Sequence, residues 1–323
     1  MEFSTKVLLQ RPPFSICHLD RLLMLGSCFT ENIGGMLHSY GFELDCNPFG
    51  IVYNPISIFK SIQRIVSEDY YSSKDLLYYN DLYLSLDHHG SFSGLDKAQV
   101  LEKINNRLSI AHQQLKESKY ILITLGTSFV YRHIERDSIV ANCHKIPGSE
   151  FDKRILSTDD ILLAYKEIHP LLENKIVIFT VSPVRHWREG AVENSRSKSI
   201  LLESIHQLKE MYGNITYFPA YEIMMDELRD YRFYAEDMLH PNNVAIQYIW
   251  ERFIDSYMSS STLNCMDRID KLKMLYQHKI KHPGTQSAFA YQTKVEDALS
   301  NFKRDYPDID IQFSSLNNTG NSI

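Results

Sequence analysis

The chain has 323 residues, of which 44% are hydrophobic and 23% are charged. This is the composition of a soluble globular protein with one large domain, or a domain and a smaller appendage. Its formal net charge of −6 argues against a surface that binds nucleic acid or acidic membranes, which would need clustered lysine and arginine. No stretch approaches the roughly 18–20 apolar residues of a transmembrane helix, and residues 1–15 make a poor signal peptide. We therefore predict a cytoplasmic protein with no nucleic-acid partner and no membrane insertion.

Cysteine and glycine patterns argue against metal and cofactor sites. The chain has five cysteines without CxxC spacing, so we predict free thiols in a reducing compartment. His88 and His89 lack the HExxH spacing of a zinc site. The phosphate-binding motifs GxGxxG and GxxxxGK[ST] are absent, which disfavours nicotinamide enzymes, kinases and P-loop NTPases. We predict no metal and no cofactor.

Short apolar runs alternate with helical patterns through most of the chain. Runs that are apolar throughout are typical of buried parallel strands, and their alternation with helices predicts an α/β fold with a central parallel sheet. In chain order the predicted elements are strand 22–25, helices 31–40 and 56–66, strand 82–86, helix 101–117, strand 121–125, helix 159–172, strand 176–181, helix 197–212, strand 215–218 and helix 243–258.

Two regions differ from this alternation. Residues 41–100, with a Tyr-rich stretch and the motif LDHHGSFSG, predict an insertion after the first strand. After residue 258, charged helical patterns at 266–281 and 293–304 predict a helical appendage over 259–313. The polar residues 314–323 predict a disordered tail. The main domain is thus predicted to span residues 1–258.

Polar and reactive residues follow each main predicted strand. LLML runs into GSCF, ILITL into GTSFVY, IVIFTV into SPVRHW, and ITYF into PAYE. In open α/β sheets, ligands bind outside the carboxyl ends of the strands, where such loops meet. A further loop, YAEDMLHPNN, precedes the last core helix. We expect these loops to form one site.

The loop GSCF contains two candidate nucleophiles, Ser27 and Cys28. Cys28 lies at a strand end and at or just before a helix N-terminus, where free N–H groups and the helix dipole stabilise a thiolate. The alternative is a buried, inert cysteine, which is common among free thiols.

The other loops provide partners for such a nucleophile. Asp237 and His240 are spaced so that the carboxylate can orient the imidazole, as in a catalytic triad; the alternative is an ordinary surface pair. Backbone N–H groups, hydroxyls, amides and cations in these loops are candidates for binding an oxyanion or a substrate anion. They belong to Gly50, Gly126, Ser128, Asn142, His144, Arg185 and His186.

In this order, the motifs resemble the GSCFA family of bacterial proteins, within the wider SGNH/GDSL hydrolase group. The motifs are GSCFTENIG, NPFGIVYNP, LGTSFVY, ANCHK, VSPVRHW and YFPAYEIMMDELRDYRFYAEDMLHP, with Thr30 in place of the family's alanine. The resemblance covers roughly residues 1–255. It implies a three-layer α/β/α fold with a flavodoxin-like parallel sheet.

The resemblance also implies roles for the nucleophile and its base. The group's first block is Gly-Asp-Ser, with serine as the nucleophile. Aligned on Gly26, this block puts Ser27 at the aspartate and Cys28 at the nucleophile. The Asp-x-x-His block matches Asp237 and His240.

The blocks that form the oxyanion hole match less closely. Gly50 is the candidate for the second-block glycine. The third block, Gly-x-Asn, reads Gly126-Thr127-Ser128 in this chain, so a hydroxyl replaces the amide donor. Asn142 is a second candidate for that donor.

Together these features predict an SGNH-like hydrolase or acyltransferase that cleaves an ester or thioester, with a carbohydrate O-acyl group as a candidate substrate. Cys28 would attack, His240 would act as general base, and Asp237 would orient His240. Two alternatives stay open. Ser27 is the nucleophile in the same enzyme class, or the domain is non-catalytic and binds a glycan, an acyl metabolite or a partner protein.

Overall fold

Five parallel strands form the central sheet of the computed structural model, which describes residues 5–278, 280–282 and 284–311. The strands are β1 (Leu22–Gly26), β2 (Leu44–Cys46), β3 (Leu76–Tyr79), β4 (Leu82–Ser85), β5 (Tyr120–Leu125), β6 (Phe129–His133), β7 (Ser138–Val140), β8 (Phe151–Ile155), β9 (Ile176–Val181) and β10 (Ile215–Phe218). The α-helices are α1 (Cys28–Ser39), α2 (Pro55–Ser67), α3 (Lys97–Glu117), α4 (Thr158–Ile168), α5 (Gly190–Met211), α6 (Ala220–Glu222), α7 (Asn243–Tyr257), α8 (Ser260–Gln277) and α9 (Gln286–Asp305). A π-helical turn, Ile223–Glu227, continues α6.

The strand order of the central sheet is β10-β9-β5-β1-β2, and all neighbouring pairs are parallel. The chain therefore moves from β1 to β2 on one side and then returns to β5 on the other. At such a switch point a crevice opens outside the carboxyl ends of the strands. The predicted α/β fold with a flavodoxin-like parallel sheet is confirmed. The prediction missed β2, which has only three residues.

Helices cover both faces of the sheet, which gives the three layers that the resemblance implied. Successive side chains of a strand point to opposite faces. Leu23 and Leu25 of β1 pack in a core with α2, α3, α4 and α5, whereas Leu22 and Met24 pack in a second core with α1 and α7. Burial of each leucine side chain contributes about 1.5–3 kcal/mol to the free energy of folding. These two cores therefore fix the position of β1.

The turn from β1 into α1 depends on Gly26. This residue has a φ of 141°, and a Cβ there would lie 2.2 Å from the carbonyl oxygen of Thr124 on β5. The Gly26 N–H donates to Asn47 Oδ1 at 2.9 Å. Only glycine allows both the positive φ and this close approach. Helix α1 begins at Cys28, earlier than the predicted start at residue 31.

The predicted insertion is smaller than residues 41–100, because β2, α2 and α3 belong to the core layers. The extra structure in this region is mainly the β3–β4 hairpin, and its second strand matches the prediction for 82–86. A second addition, the antiparallel sheet β7-β6-β8, follows β5 and was not predicted. Its strands have three to five residues and many exposed side chains, which leaves little apolar pattern to detect.

The two C-terminal helices correspond to the predictions for 266–281 and 293–304. Cys265, Ile269 and Leu272 of α8 form a small core with Phe302 of α9. Tyr40 at the end of α1 joins this region to the main domain, since its hydroxyl donates to Asp270 Oδ2 at 3.1 Å. The division at residue 258 stays a prediction, and the predicted tail 314–323 lies outside the described residues. Among the described helices, none has both the length and the apolar composition needed to cross a membrane.

Two glycines test whether the β1–α1 turn is fixed by sterics. We expect Gly26→Ala to lower the free energy of unfolding by about 3 kcal/mol or more, because the new Cβ clashes with Thr124 and strains the backbone. Gly35 in α1 is exposed, and a Cβ there would meet nothing within 4 Å. Gly35→Ala should therefore stabilise the protein by about 0.5–1 kcal/mol. Urea unfolding measures both; equal effects of the two substitutions would contradict this account.

Candidate active site

Cys28 is the first residue of α1, at the crevice beside β1 and β5. Its neighbour Ser27 is the N-cap of the helix, and Ser27 Oγ accepts the N–H of Phe29 at 3.3 Å. Ser27 is 0% exposed, whereas Cys28 is half-buried. Of the two candidate nucleophiles, Cys28 is therefore the one that a substrate can reach.

The environment of Cys28 favours the neutral thiol. Burial raises its pKa, and the carboxylate of Glu31, one turn along α1, raises it further. This pKa is lowered by the N–H groups of Phe29 and Cys28 and by the charge of Lys198, but the net shift is upward. Burial thus opposes the expected effect of the helix N-terminus on the Cys28 thiolate.

Asp237 and His240 form the predicted pair. His240 Nδ1 donates to Asp237 Oδ2 at 2.5 Å, and Asp237 Oδ1 accepts the N–H groups of Leu239 at 2.9 Å and His240 at 3.0 Å. The backbone N–H of His240, followed by that of Leu239 and by the imidazole, lowers the pKa of Asp237 to about 2. This bonding holds the proton of a neutral imidazole on Nδ1 and leaves Nε2 as a proton acceptor. Both side chains are half-exposed, and among the described residues no hydrogen bond joins His240 to Cys28.

His186 follows β9 and interacts electrostatically with both Lys198 and His240. Its backbone N–H donates to Asn194 Oδ1 at 2.9 Å. Its ring packs edge-on against the ring of Tyr53, with centroids 5.2 Å apart. Burial lowers its pKa to about 4, and the charges of Lys198 and His240 contribute. The ring is therefore neutral at neutral pH. Its Nε2 is buried and has no hydrogen-bond partner among the described residues.

The loop after β5 brings Gly126 against His186 and Tyr53. A Cβ on Gly126 would lie 3.1 Å from His186 Nε2 and 3.2 Å from Tyr53 Cβ. The N–H of Gly126 donates to the Tyr53 carbonyl at 2.8 Å, so it is not free for a ligand. A side chain at position 126 would therefore need Tyr53 or His186 to shift.

Ser128 does not have the predicted role of oxyanion donor. It is 0% exposed, and its hydroxyl donates to Ser197 Oγ of α5 at 3.1 Å. Its N–H donates to the same oxygen at 2.8 Å. The side chain therefore joins the β5 loop to α5 inside the fold, and its hydroxyl proton is already donated.

Gly50 is also already bonded. Its φ is 76° and its N–H donates to the Asn47 carbonyl at 2.7 Å, within the turn that carries NPFG. The predicted oxyanion role of this N–H is not supported. The N–H of Cys28 is different, because the first-turn N–H groups of a helix have no intrahelical acceptor.

Asn142 and His144 lie next to the β3–β4 hairpin. Asn142 Oδ1 accepts the N–H of His144 at 2.9 Å, and His144 Nε2 donates to the Ser85 carbonyl at 2.8 Å. Among the described residues, no hydrogen bond connects either side chain to Cys28 or His240. The structure therefore shows no direct bond from these two predicted residues to the candidate nucleophile or its proposed base.

Lys198 of α5 was not predicted as a site residue, and it is 1% exposed. Its Nζ donates to the carbonyl oxygens of Gly126 and Ser182, both at 2.8 Å. These two residues follow β5 and β9, so Lys198 ties together the two loops that border the site. A pattern that could have revealed it is the buried stripe of α5, in which Lys198 precedes Leu201, Ile205 and Leu208 at helical intervals.

Arg185 lies in a cleft of about 400 Å³ beside the Asp237–His240 loop. Its N–H donates to the Leu239 carbonyl at 3.2 Å. Its guanidinium lies 4.2 Å from the ring of Trp187 and 6.0 Å from that of Tyr234, and among the described residues it forms no ion pair. The lining is aromatic, apolar and charged: Arg185, Trp187, Ala191, Asn194, Ser195, Tyr221, Met224, Met225, Asp226, Leu228, Arg229, Asp230, Tyr231 and Tyr234.

No group of three or more histidine, cysteine, aspartate or glutamate side chains in the described part of the chain is arranged to hold a metal ion. Cys28, His186, Lys198, His240 and Asp237 instead form a set of nucleophilic and titratable groups at the carboxyl end of the sheet. What this set can do directly is acid–base and nucleophilic chemistry.

Comparison with known proteins supports the resemblance seen in the motifs. No curated protein matches the chain significantly. The sequence model of the GSCFA family matches residues 21–253, which include the β1–α1 turn, the loops after β5 and β9, and the Asp237–His240 pair. The chain therefore belongs to the GSCFA family.

Proposed function

We propose that this protein is an SGNH-like hydrolase or acyltransferase, which cleaves an ester or thioester through an acyl-enzyme on Cys28. The observation that carries this proposal is the Asp237–His240 pair, hydrogen-bonded and at the same edge of the sheet as an accessible thiol at a helix N-terminus. Carboxylate, imidazole and nucleophile are the three parts of a triad.

The neutral thiol determines how the first step proceeds. As Cys28 Sγ attacks the carbonyl carbon, His240 Nε2 takes the thiol proton, and Asp237 stabilises the imidazolium that forms. The carbonyl oxygen becomes an oxyanion, and the N–H of Cys28 is placed to donate to it. When the intermediate collapses, the leaving alcohol or thiol takes the proton from His240.

The second step regenerates the enzyme. His240 takes a proton from water, or from an acceptor hydroxyl, which attacks the thioester carbonyl. The acyl group leaves as an acid or as a new ester, and Cys28 recovers its proton. The distance between Cys28 and His240 must shorten when a substrate binds, as is common for catalytic hydrogen bonds in free enzymes.

The cleft beside His240 supports a carbohydrate as the part of the substrate that carries the acyl group. Aromatic rings such as Trp187 and Tyr231 offer flat apolar faces, and Asp226 can accept hydrogen bonds from hydroxyls. Arg185 has no carboxylate partner among the described residues, so it favours a sugar with a carboxylate or another anionic group.

A non-catalytic binding domain is the second candidate function. The raised pKa of Cys28 and the missing hydrogen bond to His240 within the described part of the chain favour it, since a resting thiol of this kind is unreactive by itself. Detection of a covalent acyl-enzyme separates the two functions. A domain that only binds would occupy the cleft without any change in the mass of the protein.

Substitution of the two neighbouring nucleophiles tests the acyl-enzyme. After incubation with a short-chain aryl ester, intact-mass spectrometry should show one added acyl group in the native protein and none in Cys28→Ala. Ser27→Ala should still acylate, while losing about 1 kcal/mol of stability as the N-cap is removed. Acylation of Cys28→Ala together with none in a folded Ser27→Ala would identify Ser27 as the nucleophile.

Asp237→Asn tests the orienting role of the carboxylate. We expect kcat to fall by roughly 100- to 10,000-fold, because the amide cannot stabilise the imidazolium or fix its tautomer. Glu236→Gln, an exposed neighbour, is the matched control and should keep native activity. Because the pKa of Asp237 is lowered to about 2, its ionised form is lost only as the pH falls through that value. A loss of activity near pH 6 must therefore come from another group. A pH profile in which Asp237→Asn removes the loss near pH 6 would contradict this prediction.

Arg185→Gln tests the anionic group of the substrate. With an acetylated uronic acid as substrate, we expect KM to rise by about tenfold or more, because a charged hydrogen bond is lost. With the corresponding acetylated neutral sugar, KM should change little. Arg196→Gln on α5, whose guanidinium pairs with Glu193 at 2.8 Å, is the control. An equal rise in KM for both substrates would show that Arg185 only shapes the cleft.

A further inference from the structure

Lys198 is a buried cation that the described residues leave without a carboxylate partner. Its amine is held by two backbone carbonyl oxygens, of Gly126 and Ser182, and no ion pair involves it within the described part of the chain. A charged group so deeply buried is costly unless an anion compensates it. Burial accordingly lowers the pKa of Lys198 to about 7.

Joining two strand ends does not by itself require a buried lysine. At the amino ends of the strands, Lys175 just before β9 also donates to two backbone carbonyl oxygens, of Lys116 at 2.8 Å and Ser118 at 2.6 Å, both where α3 leads into β5. Lys175 is only partly buried, so water can solvate its charge. Lys198 likewise donates to two backbone carbonyls, from two different loops, without that access to solvent.

The groups around Lys198 identify the anion that its charge can serve. Its charge interacts with those of Cys28 at the start of α1 and His186 after β9. The Tyr221 ring centroid of α6 lies 5.5 Å from Nζ. Gly126, whose carbonyl oxygen holds Nζ, also lies against His186, since a Cβ on Gly126 would be 3.1 Å from His186 Nε2. His186 is neutral, and burial raises the pKa of Tyr221. Glu31 acts on Cys28 rather than on Lys198. Cys28 is therefore the one of these groups that becomes an anion during the proposed reaction.

The hydrogen-bonding capacity of the amine supports the same conclusion. A neutral amine has two N–H groups, and the two carbonyl oxygens satisfy both. The ammonium form has a third N–H, for which the described residues provide no further acceptor. Protonation of Lys198 thus adds a donor and a positive charge that an incoming or newly formed anion can balance.

We propose that Lys198 is a positioning residue whose ammonium form stabilises negative charge at Cys28, both on sulfur and on the oxyanion of the tetrahedral intermediate. It would supply a positive charge to the site, which the bonded hydroxyl of Ser128 does not. Its contribution to turnover rests on the proposed function, whereas its coupling to the Cys28 thiolate does not.

Alkylation of Cys28 by iodoacetamide tests the coupling without any substrate. In this reaction the thiolate sulfur bonds to the carbon of the reagent and iodide leaves, so the rate follows the thiolate population. Peptide mass spectrometry measures the rate at Cys28 separately from the other cysteines. Lys198→Met should slow alkylation by roughly tenfold near pH 6, where Lys198 is charged, and have little effect near pH 9, where it is neutral.

Lys175→Met is the matched control, because it removes a lysine with the same two-carbonyl bonding far from Cys28. It should leave the profile unchanged at every pH. A purely structural role for Lys198 would change the rate by a similar factor across the whole range, and that result would overturn the proposal. So would an equal effect of the two substitutions.

The native protein gives an independent measurement if Lys198→Met does not fold. Its own alkylation profile should show a second inflection near pH 7, where Lys198 loses its charge and its help to the thiolate is lost. A profile with a single ionisation would contradict the coupling. Absence of an acyl-enzyme together with the second inflection would reject the proposed function and keep this inference.

Discussion

The close approach of β1 and β5 at Gly26 is the constraint on which the site depends. The carbonyl oxygen of Thr124 occupies the space that a side chain at position 26 would need, so the chain turns there with a positive φ. Ser27 is thereby directed inward as a helix cap, and Cys28 begins α1 at the crevice. Strand packing thus sets which of the two neighbouring side chains is accessible.

The sequence could predict the sheet and the Asp237–His240 pair because both depend on local patterns. Apolar runs of four to six residues mark β1, β5, β9 and β10, and the Asp237–His240 pair is local, with its partners three positions apart. The roles of Gly50 and Ser128 could not be predicted in the same way. Each lies in a loop of the expected kind, but its donors are already bonded. Ser128 is bonded to Ser197, 69 residues away, and no local pattern encodes such a contact.

The ionisation of Cys28 could not be predicted for a related reason. The backbone dipoles at a helix N-terminus lower the pKa of a thiol, and the GSCF motif predicts this effect because it marks the start of a helix. Burial raises the pKa and the charge of Lys198 lowers it, and both depend on how elements distant in sequence pack around Cys28. Lys198 was missed because a lysine in a helix is ordinarily read as solvent-exposed. Its position on the buried stripe with Leu201 and Ile205 shows instead that its side chain enters the core.

A resting thiol has a consequence for how reactivity and binding are linked in the proposed mechanism. A preformed thiolate would react with any small electrophile that reaches the crevice, whether or not the cleft is filled. A neutral Cys28 becomes a strong nucleophile only when a carbonyl is placed close enough for sulfur attack and proton transfer to His240 to occur together. Binding energy from the cleft beside Arg185 can then be used to bring these groups into contact, which raises kcat rather than merely lowering KM. In this mechanism, the parts that would move together on binding are the half-exposed His240 and the cleft that adjoins its loop.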